Sequence, residues 1–63
     1  MTNWKAGMRA EIPSGLGGIF EIKLIEKLDN GRWNAKIDMP SAGDFHNTNV
    51  QPLESELREV RHG

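Results

Sequence analysis

Cysteine and tyrosine are both absent from the 63-residue chain. Without cysteine, the chain has no disulfide, no thiolate metal ligand and no cysteine nucleophile. No apolar run approaches the length that spans a bilayer, and residues 1–5 lack the apolar core of a secretion signal. We therefore expect a cytoplasmic protein that makes no contact with a membrane.

An excess of basic residues is also missing. The chain carries 8 basic and 9 acidic residues, which gives a net charge of −1. Proteins that bind nucleic acid usually carry a basic excess, because contacts with phosphates supply most of their affinity. We therefore do not favour nucleic acid as a partner, and we expect no tight, salt-sensitive binding to random duplex DNA.

The length of the chain limits the size of its core. Its 63 residues predict a single domain, 1–63, since no linker, repeat or low-complexity run divides them. A domain of this size buries a smaller share of its surface than a larger domain does. Association with a second chain is then a common source of extra stability.

The clearest structural signal is a β-hairpin over Ile19–Met39. Asn30-Gly31 is the preferred pair for a two-residue type I′ turn, because both central positions need a positive φ. Such a turn puts Leu28 opposite Trp33. Alternation along the two strands then gathers the other apolar side chains on the same face. They are Phe20, Ile22, Leu24, Ala35, Ile37 and Met39.

The opposite face of this hairpin is polar. The same register pairs Asp29 with Arg32 and Lys23 with Asp38, and opposite charges suit a solvated face. Glu26 departs from the pattern, because the register places it on the apolar face. We therefore expect a β-bulge at Glu26, or a sheet edge where its carboxylate reaches water.

Shorter elements are predicted on both sides of the hairpin. A first strand over Met8–Ile12 ends at Pro13, which has no N–H to donate to a ladder. Weak alternation predicts a polar fourth strand over Asp44–Val50. A 3₁₀ turn within Gln51–Leu57 and a closing strand over Leu57–Arg61 follow it.

Three stretches of the chain together resemble the SH3-like small barrels, the group that includes Tudor and KOW domains. They are Lys5–Glu11, where Gly7 precedes a strand; Gly31–Asp38, after the central turn; and Val50–Val60, around Pro52 and Leu57. The resemblance implies an all-β, five-stranded small barrel with a 3₁₀ turn before its last strand. This architecture is shared by proteins of many functions, so it does not identify an activity.

Residues that could perform catalysis are sparse. Asp44 and His46 would share a face of the predicted fourth strand, but a metal site needs a further ligand and none is signalled. Ser14 and Ser41 lie in loops that contain glycine and proline, without a base at a suitable spacing. We therefore predict no catalytic residue, no metal site and no cofactor.

The remaining apolar and aromatic residues indicate a binding function. Leu16 lies in the loop 13–18, and Ile25 falls on the face that the hairpin register exposes to solvent. Phe45, His46 and Trp4 complete the set of candidate binding residues. We expect a non-catalytic binding or adaptor module that contacts a protein partner or associates with itself.

Two alternatives to this function stay open. One is a weak nucleic-acid-binding domain of the Tudor or KOW type. The other is an oligomeric small-barrel enzyme that resembles the type II dihydrofolate reductases, whose signature on a late strand is Val-Gln-Ile-Tyr. Val50-Gln51 matches the first half of that signature, and Pro52-Leu53 replaces the second half. A stable tetramer in solution would favour the enzyme.

Overall fold

The computed structural model describes residues 3–15 and 17–60. The strands are β1 Arg9–Pro13, β2 Ile19–Lys27, β3 Trp33–Ile37 and β4 Asn49–Val50, and two 3₁₀ segments span Pro40–Phe45 and Glu54–Glu56. The strands form one antiparallel sheet in the order β1–β2–β3–β4. Within the described residues, no helix has the length and apolar character required to cross a membrane.

The core lies on one face of this sheet, and most of the apolar face predicted for the hairpin is confirmed. Trp33 is only 3% exposed, although its ring is the largest apolar group in the cluster. Alternation explains which residues of β2 and β3 are buried, because every second residue of these strands points inward. The buried residues are Ala10, Ile12, Ile22, Leu24, Trp33, Ala35, Ile37 and Leu57. Phe20 and Met39 are partly buried against them.

The turn between β2 and β3 contains three residues, so the predicted two-residue turn is wrong. The N–H of Leu28 donates to the carbonyl oxygen of Arg32 over 2.8 Å, which closes a loop of residues 29–31. The loop ends at Gly31, whose φ is +79°. A left-handed glycine after a type I turn is the usual three-residue hairpin loop. Trp33 consequently faces Lys27 and not Leu28.

Strand β2 contains the β-bulge that Glu26 predicts. Leu24 faces Ala35 and Glu26 faces Asn34, so Ile25 is an extra residue between the two pairs. Both Ile25 and Glu26 are exposed, as expected when a bulge redirects side chains. The turn and the bulge each shift the register by one residue. Because the two shifts together preserve the alternation, Leu24 still points inward.

The predicted fourth strand is wrong over most of its length. Only Asn49–Val50 pairs with β3, and the 3₁₀ segment Pro40–Phe45 occupies the start of the predicted span. Gly43 has a φ of +63° and Asn47 a φ of +70°. Positive φ values are incompatible with extended strand backbone. Residues 43–48 therefore form turns, and the strand begins after them.

The closing strand is reduced to a single bridge in the described residues. Arg58 and Glu11 exchange two backbone hydrogen bonds, of 2.8 and 3.0 Å, on the free edge of β1. In this antiparallel register Pro13 would face Glu56, which lies in the 3₁₀ segment, and Pro13 has no N–H to extend the ladder in that direction. The 3₁₀ turn before the bridge is confirmed at Glu54–Glu56. The described residues thus form four strands in an open sheet, where the resemblance implies five strands and a barrel.

Candidate binding surfaces

A row of basic residues crosses the face of the sheet that points away from the core. Residues directly opposite each other in an antiparallel pair share a face, so the register defines the row. Arg9 faces Lys23, and Lys23 faces Lys36. The predicted pairing of Lys23 with Asp38 is wrong, because the turn and the bulge move the two strands past each other by two residues.

Arg9 binds two carboxylates beside this row. Its Nη1 donates to Asp38 Oδ2 over 2.6 Å and its Nη2 donates to Glu21 Oε2 over 2.5 Å. The hydrogen bond from Arg9 holds the pKa of Asp38 below its usual value. The hydrogen bonds that Arg9 donates to Glu21 and then to Asp38 raise the pKa of Arg9. The three side chains therefore form one charge-assisted network on the solvent side of the sheet.

Lys23 and Lys36 donate no hydrogen bond to this network, although the charge of Lys36, after the hydrogen bond from Arg9, also lowers the pKa of Asp38. Neither lysine forms a salt bridge with any residue that the structure describes. Ile25 follows Lys23 by two residues and is 44% exposed. Strand alternation and the bulge put Ile25 on the same face as Lys23. One candidate binding residue therefore lies beside two lysines.

Two phenylalanines, Phe20 and Phe45, form an aromatic contact that is partly exposed. The ring centroids of Phe20 and Phe45 are 5.5 Å apart, with the planes tilted by 45°. Phe20 is half-buried against the core, whereas Phe45 is 50% exposed. Phe45 ends the 3₁₀ segment Pro40–Phe45, which holds it over Phe20. The aromatic surface is thus fixed on one side by the core and open on the other.

His46 has a local structural contact. Its Nδ1 accepts a hydrogen bond from the N–H of Met39 over 3.1 Å. This bond ties the two ends of the 3₁₀ segment together, since Met39 precedes it and His46 follows it. Asp44 lies inside that segment, so the prediction that Asp44 and His46 share a strand face is wrong. No group of three or more potential metal ligands lies together among the described residues.

Trp4 lies at a cavity of about 480 Å³ at the free edge of β1. Cavities of this volume are within the range that holds small ligands or side chains. Glu11, a second lining residue, is buried beneath the segment that bridges to β1. The remaining lining residues are Ile19, Leu57, Arg58, Glu59 and Val60. Ile25, Phe45 and His46 do not line this cavity.

The indole of Trp33 is held at the other end of the sheet. Its Nε1 donates to Glu54 Oε1 over 2.9 Å, and Lys27 Nζ lies 3.3 Å from the same oxygen. The hydrogen bond from Trp33 and the one from Lys27 hold the pKa of Glu54 below its usual value. Lys27 reaches this oxygen because the three-residue turn puts it opposite Trp33. The contact therefore fastens the second 3₁₀ segment to the hairpin.

The stretch that matches half of the reductase signature is bonded to β3. Val50 is half-buried and faces Ala35. The carbonyl of Gln51 accepts from Arg32 Nη1 over 2.7 Å. The carbonyl of Pro52 accepts from the N–H of Trp33 over 2.9 Å, and Pro52 itself is buried. The backbone groups of this stretch are therefore engaged inside the domain.

Of the five candidate residues, Leu16 lies outside the described residues. Phe45 and His46 share one loop, Trp4 lines the cavity, and Ile25 lies on the outer face of the sheet. The sequence interpretation did not include Lys23 and Lys36, because its register assigned a carboxylate to Lys23. Glu26 alone could not have placed them, because the bulge supplies one of the two residues of register shift and the turn supplies the other.

Comparisons of the chain with protein-family models, with curated proteins and with solved structures find no match.

Proposed function

We propose that this chain is a non-catalytic binding module that acts through contact with a protein partner or through self-association. The half-exposed ring of Phe45, packed on Phe20 at a centroid distance of 5.5 Å, is the observation that supports this proposal. Aromatic residues in a fixed orientation lose little conformational entropy when they are covered, and they dominate the energetics of protein interfaces.

We further propose that the fold is a small barrel of the SH3-like type. Two features of the chain favour it over a simple meander. The bridge between Glu11 and Arg58 lies on the free edge of β1, as a fifth strand closing such a barrel would. The 3₁₀ segment Glu54–Glu56 comes directly before that bridge. If backbone hydrogen bonds to β1 were measured for residues beyond Arg58, they would show that the bridge continues as a strand.

The proposed function is tested with the full chain immobilised as bait. Proteins recovered from a cell extract are purified and titrated against the soluble chain by calorimetry. The same chain is studied by sedimentation across a concentration series, which measures self-association. Phe45→Ala should weaken the interaction by about tenfold or more, since interface aromatics commonly contribute more than ~1.4 kcal/mol.

Leu53→Ala is the matched control, because Leu53 is also a large, exposed apolar residue but bridges to Arg32 at the opposite end of β3. It should leave the affinity within about twofold, an effect below ~0.5 kcal/mol. Equal affinities for the native chain and Phe45→Ala would contradict the assignment of Phe45. A strict monomer that recovers no partner would contradict the function itself.

A further inference from the structure

The pairing of Lys23 with Lys36 is unfavourable within the isolated domain. The two residues are directly opposite each other on β2 and β3, and side chains in this relation start only about 5 Å apart. Like charges at such positions repel and destabilise a sheet. Lys23 also faces Arg9 on its other side. An anion bound between the lysines would remove this repulsion.

Two carboxylates on the same face of the sheet are already engaged by Arg9. Glu21 and Asp38 both accept hydrogen bonds from Arg9, and Glu26 faces Asn34 beyond the bulge. Arg9 carries one positive charge against the two negative charges of Glu21 and Asp38, and neither carboxylate forms a salt bridge with the positive charges of Lys23 and Lys36 among the described residues. The chain as a whole carries a net charge of −1, so this local charge is not a consequence of general basicity.

An apolar side chain completes the surface. The bulge in β2 makes Ile25 the extra residue and turns it to solvent, where it is 44% exposed. Bulges often redirect a side chain for a functional reason. The surface formed by Lys23, Ile25 and Lys36, here called the outer lysine surface, thus offers two cations and one apolar contact.

We infer that the outer lysine surface binds an acidic segment of a protein partner in an extended conformation. Alternate residues of an extended segment lie about 7 Å apart on one side, a spacing that two flexible lysines can bracket. Two acidic side chains would pair with Lys23 and Lys36, and an adjacent apolar side chain would cover Ile25. This inference rests on the proposed function and specifies the chemistry of the partner.

A nucleic acid fits the same surface less well. Polynucleotide binding requires a continuous basic track, because each phosphate contact adds to the affinity. Here the lysines are bordered by Glu21 and Asp38 on one side and by Glu26 on the other. A long phosphate backbone would pass over these carboxylates, whereas two isolated carboxylates of a peptide would not.

The test uses NMR titration of the full, isotope-labelled chain with a synthetic peptide of alternating aspartate and leucine. Amide shifts should concentrate at residues 23–25 and 36. Lys23→Gln and Lys36→Gln should each weaken binding by roughly threefold to tenfold, the range of a partly exposed ion pair. Ile25→Ala should also weaken it. Raising the salt concentration should weaken binding of the native chain, because exposed charges are screened.

Lys5→Gln is the charge-matched control, since it also removes one exposed positive charge but lies outside β2 and β3. If Lys5→Gln lowers the affinity for the peptide as much as Lys23→Gln does, the inference is overturned, because the effect is then a non-specific one of net charge. Absence of amide shifts at residues 23–25 and 36 would overturn it too. Tighter binding of a single-stranded oligonucleotide than of the peptide would also overturn it.

The variant Phe45→Ala separates this inference from the proposed function. It should leave binding of the acidic peptide unchanged, because Phe45 does not belong to the outer lysine surface. If a recovered partner depends on Phe45 but not on Lys23 or Lys36, the inference fails and the proposed function stands. If the peptide binds at the lysines but no partner is recovered and the chain stays monomeric, the proposed function fails.

Discussion

The two faces of the sheet are built from the same three strands, yet they respond differently to register. On the inner face, Ile22, Leu24 and Ile37 are interchangeable in chemistry, so a shift of two residues exchanges one apolar contact for another. On the outer face, the same shift exchanges an opposite-charge pair for Lys23 opposite Lys36. Register therefore barely changes the core but decides the electrostatics of the exposed surface.

Removal of Trp33 should be the most damaging change to the inner face. Its side chain is 3% exposed and contacts the core cluster. Trp33→Ala should lower the free energy of unfolding by about 3–5 kcal/mol, a large share of the ~5–15 kcal/mol that stabilises a typical domain. Urea denaturation followed by circular dichroism measures the change. A loss below about 1 kcal/mol would show that the ring is not part of the core.

Neighbouring residues on opposite faces provide the most direct comparison. Leu24 is 1% exposed, whereas Ile25 is 44% exposed. Leu24→Ala should cost about 2–5 kcal/mol, and Ile25→Ala should stay within about 0.5 kcal/mol of the native chain. Parallel urea titrations of the two variants give both values. Similar losses at the two positions would mean that Ile25 is covered in solution, for example by self-association.

The inner face could be predicted from sequence because alternation survives an even shift of register. Ile22, Leu24, Ala35 and Ile37 are buried under either register. The bulge was also predictable, because Glu26 was the one charged residue that alternation placed among apolar residues. These features depend on patterns within one strand, and such patterns are explicit in the sequence.

The outer charge pairs and the second half of the chain were not predictable in this way. Asn30-Gly31 is compatible with turns of two or three residues, and the choice depends on how β2 and β3 pack. The stretch from Asp44 to Val50 alternates only weakly, and Asn47 tolerates a positive φ. Its conformation is therefore decided by tertiary contacts, such as the hydrogen bond from Met39 to His46. Sequence reasoning found Phe45 as a candidate but assigned it to a strand.

Substitution of Gly31 tests the turn on which the outer register depends. Its φ is +79°, and a Cβ there would meet no atom within 4 Å. The cost of Gly31→Ala should therefore be purely conformational, about 1–2 kcal/mol for a left-handed residue. Gly18→Ala is the control, because Gly18 lacks a positive φ and its Cβ would lie 3.6 Å from the Ser14 hydroxyl. Thermal unfolding should show a lower Tm for Gly31→Ala only. Equal Tm values would contradict the left-handed turn.

The smallest expected effect is on pH dependence, at the contact between Glu54, Trp33 and Lys27. The hydrogen bond from Trp33, followed by that from Lys27, lowers the pKa of Glu54 in the folded chain. A lowered folded-state pKa stabilises the protein above the unfolded-state pKa, which is about 4.3 for glutamate. That stability is lost as the pH falls through the folded-state pKa. Unfolding by urea should therefore become easier as the pH falls from about 5 to 3.

Glu54→Gln should make the stability less dependent on pH in this acidic range. Glutamine can still accept a hydrogen bond from Trp33, but it does not titrate. Glu26→Gln is the matched control, since it removes a carboxylate on the outer face and leaves the contact of Glu54 intact. As the pH falls, the free energy of unfolding of the control should therefore decrease more steeply than that of Glu54→Gln. The pH dependence of stability that remains in Glu54→Gln should come largely from Asp38, whose pKa is lowered by Arg9. If Glu54→Gln and Glu26→Gln have identical slopes, the hydrogen bond to the indole makes no difference to the ionisation of Glu54.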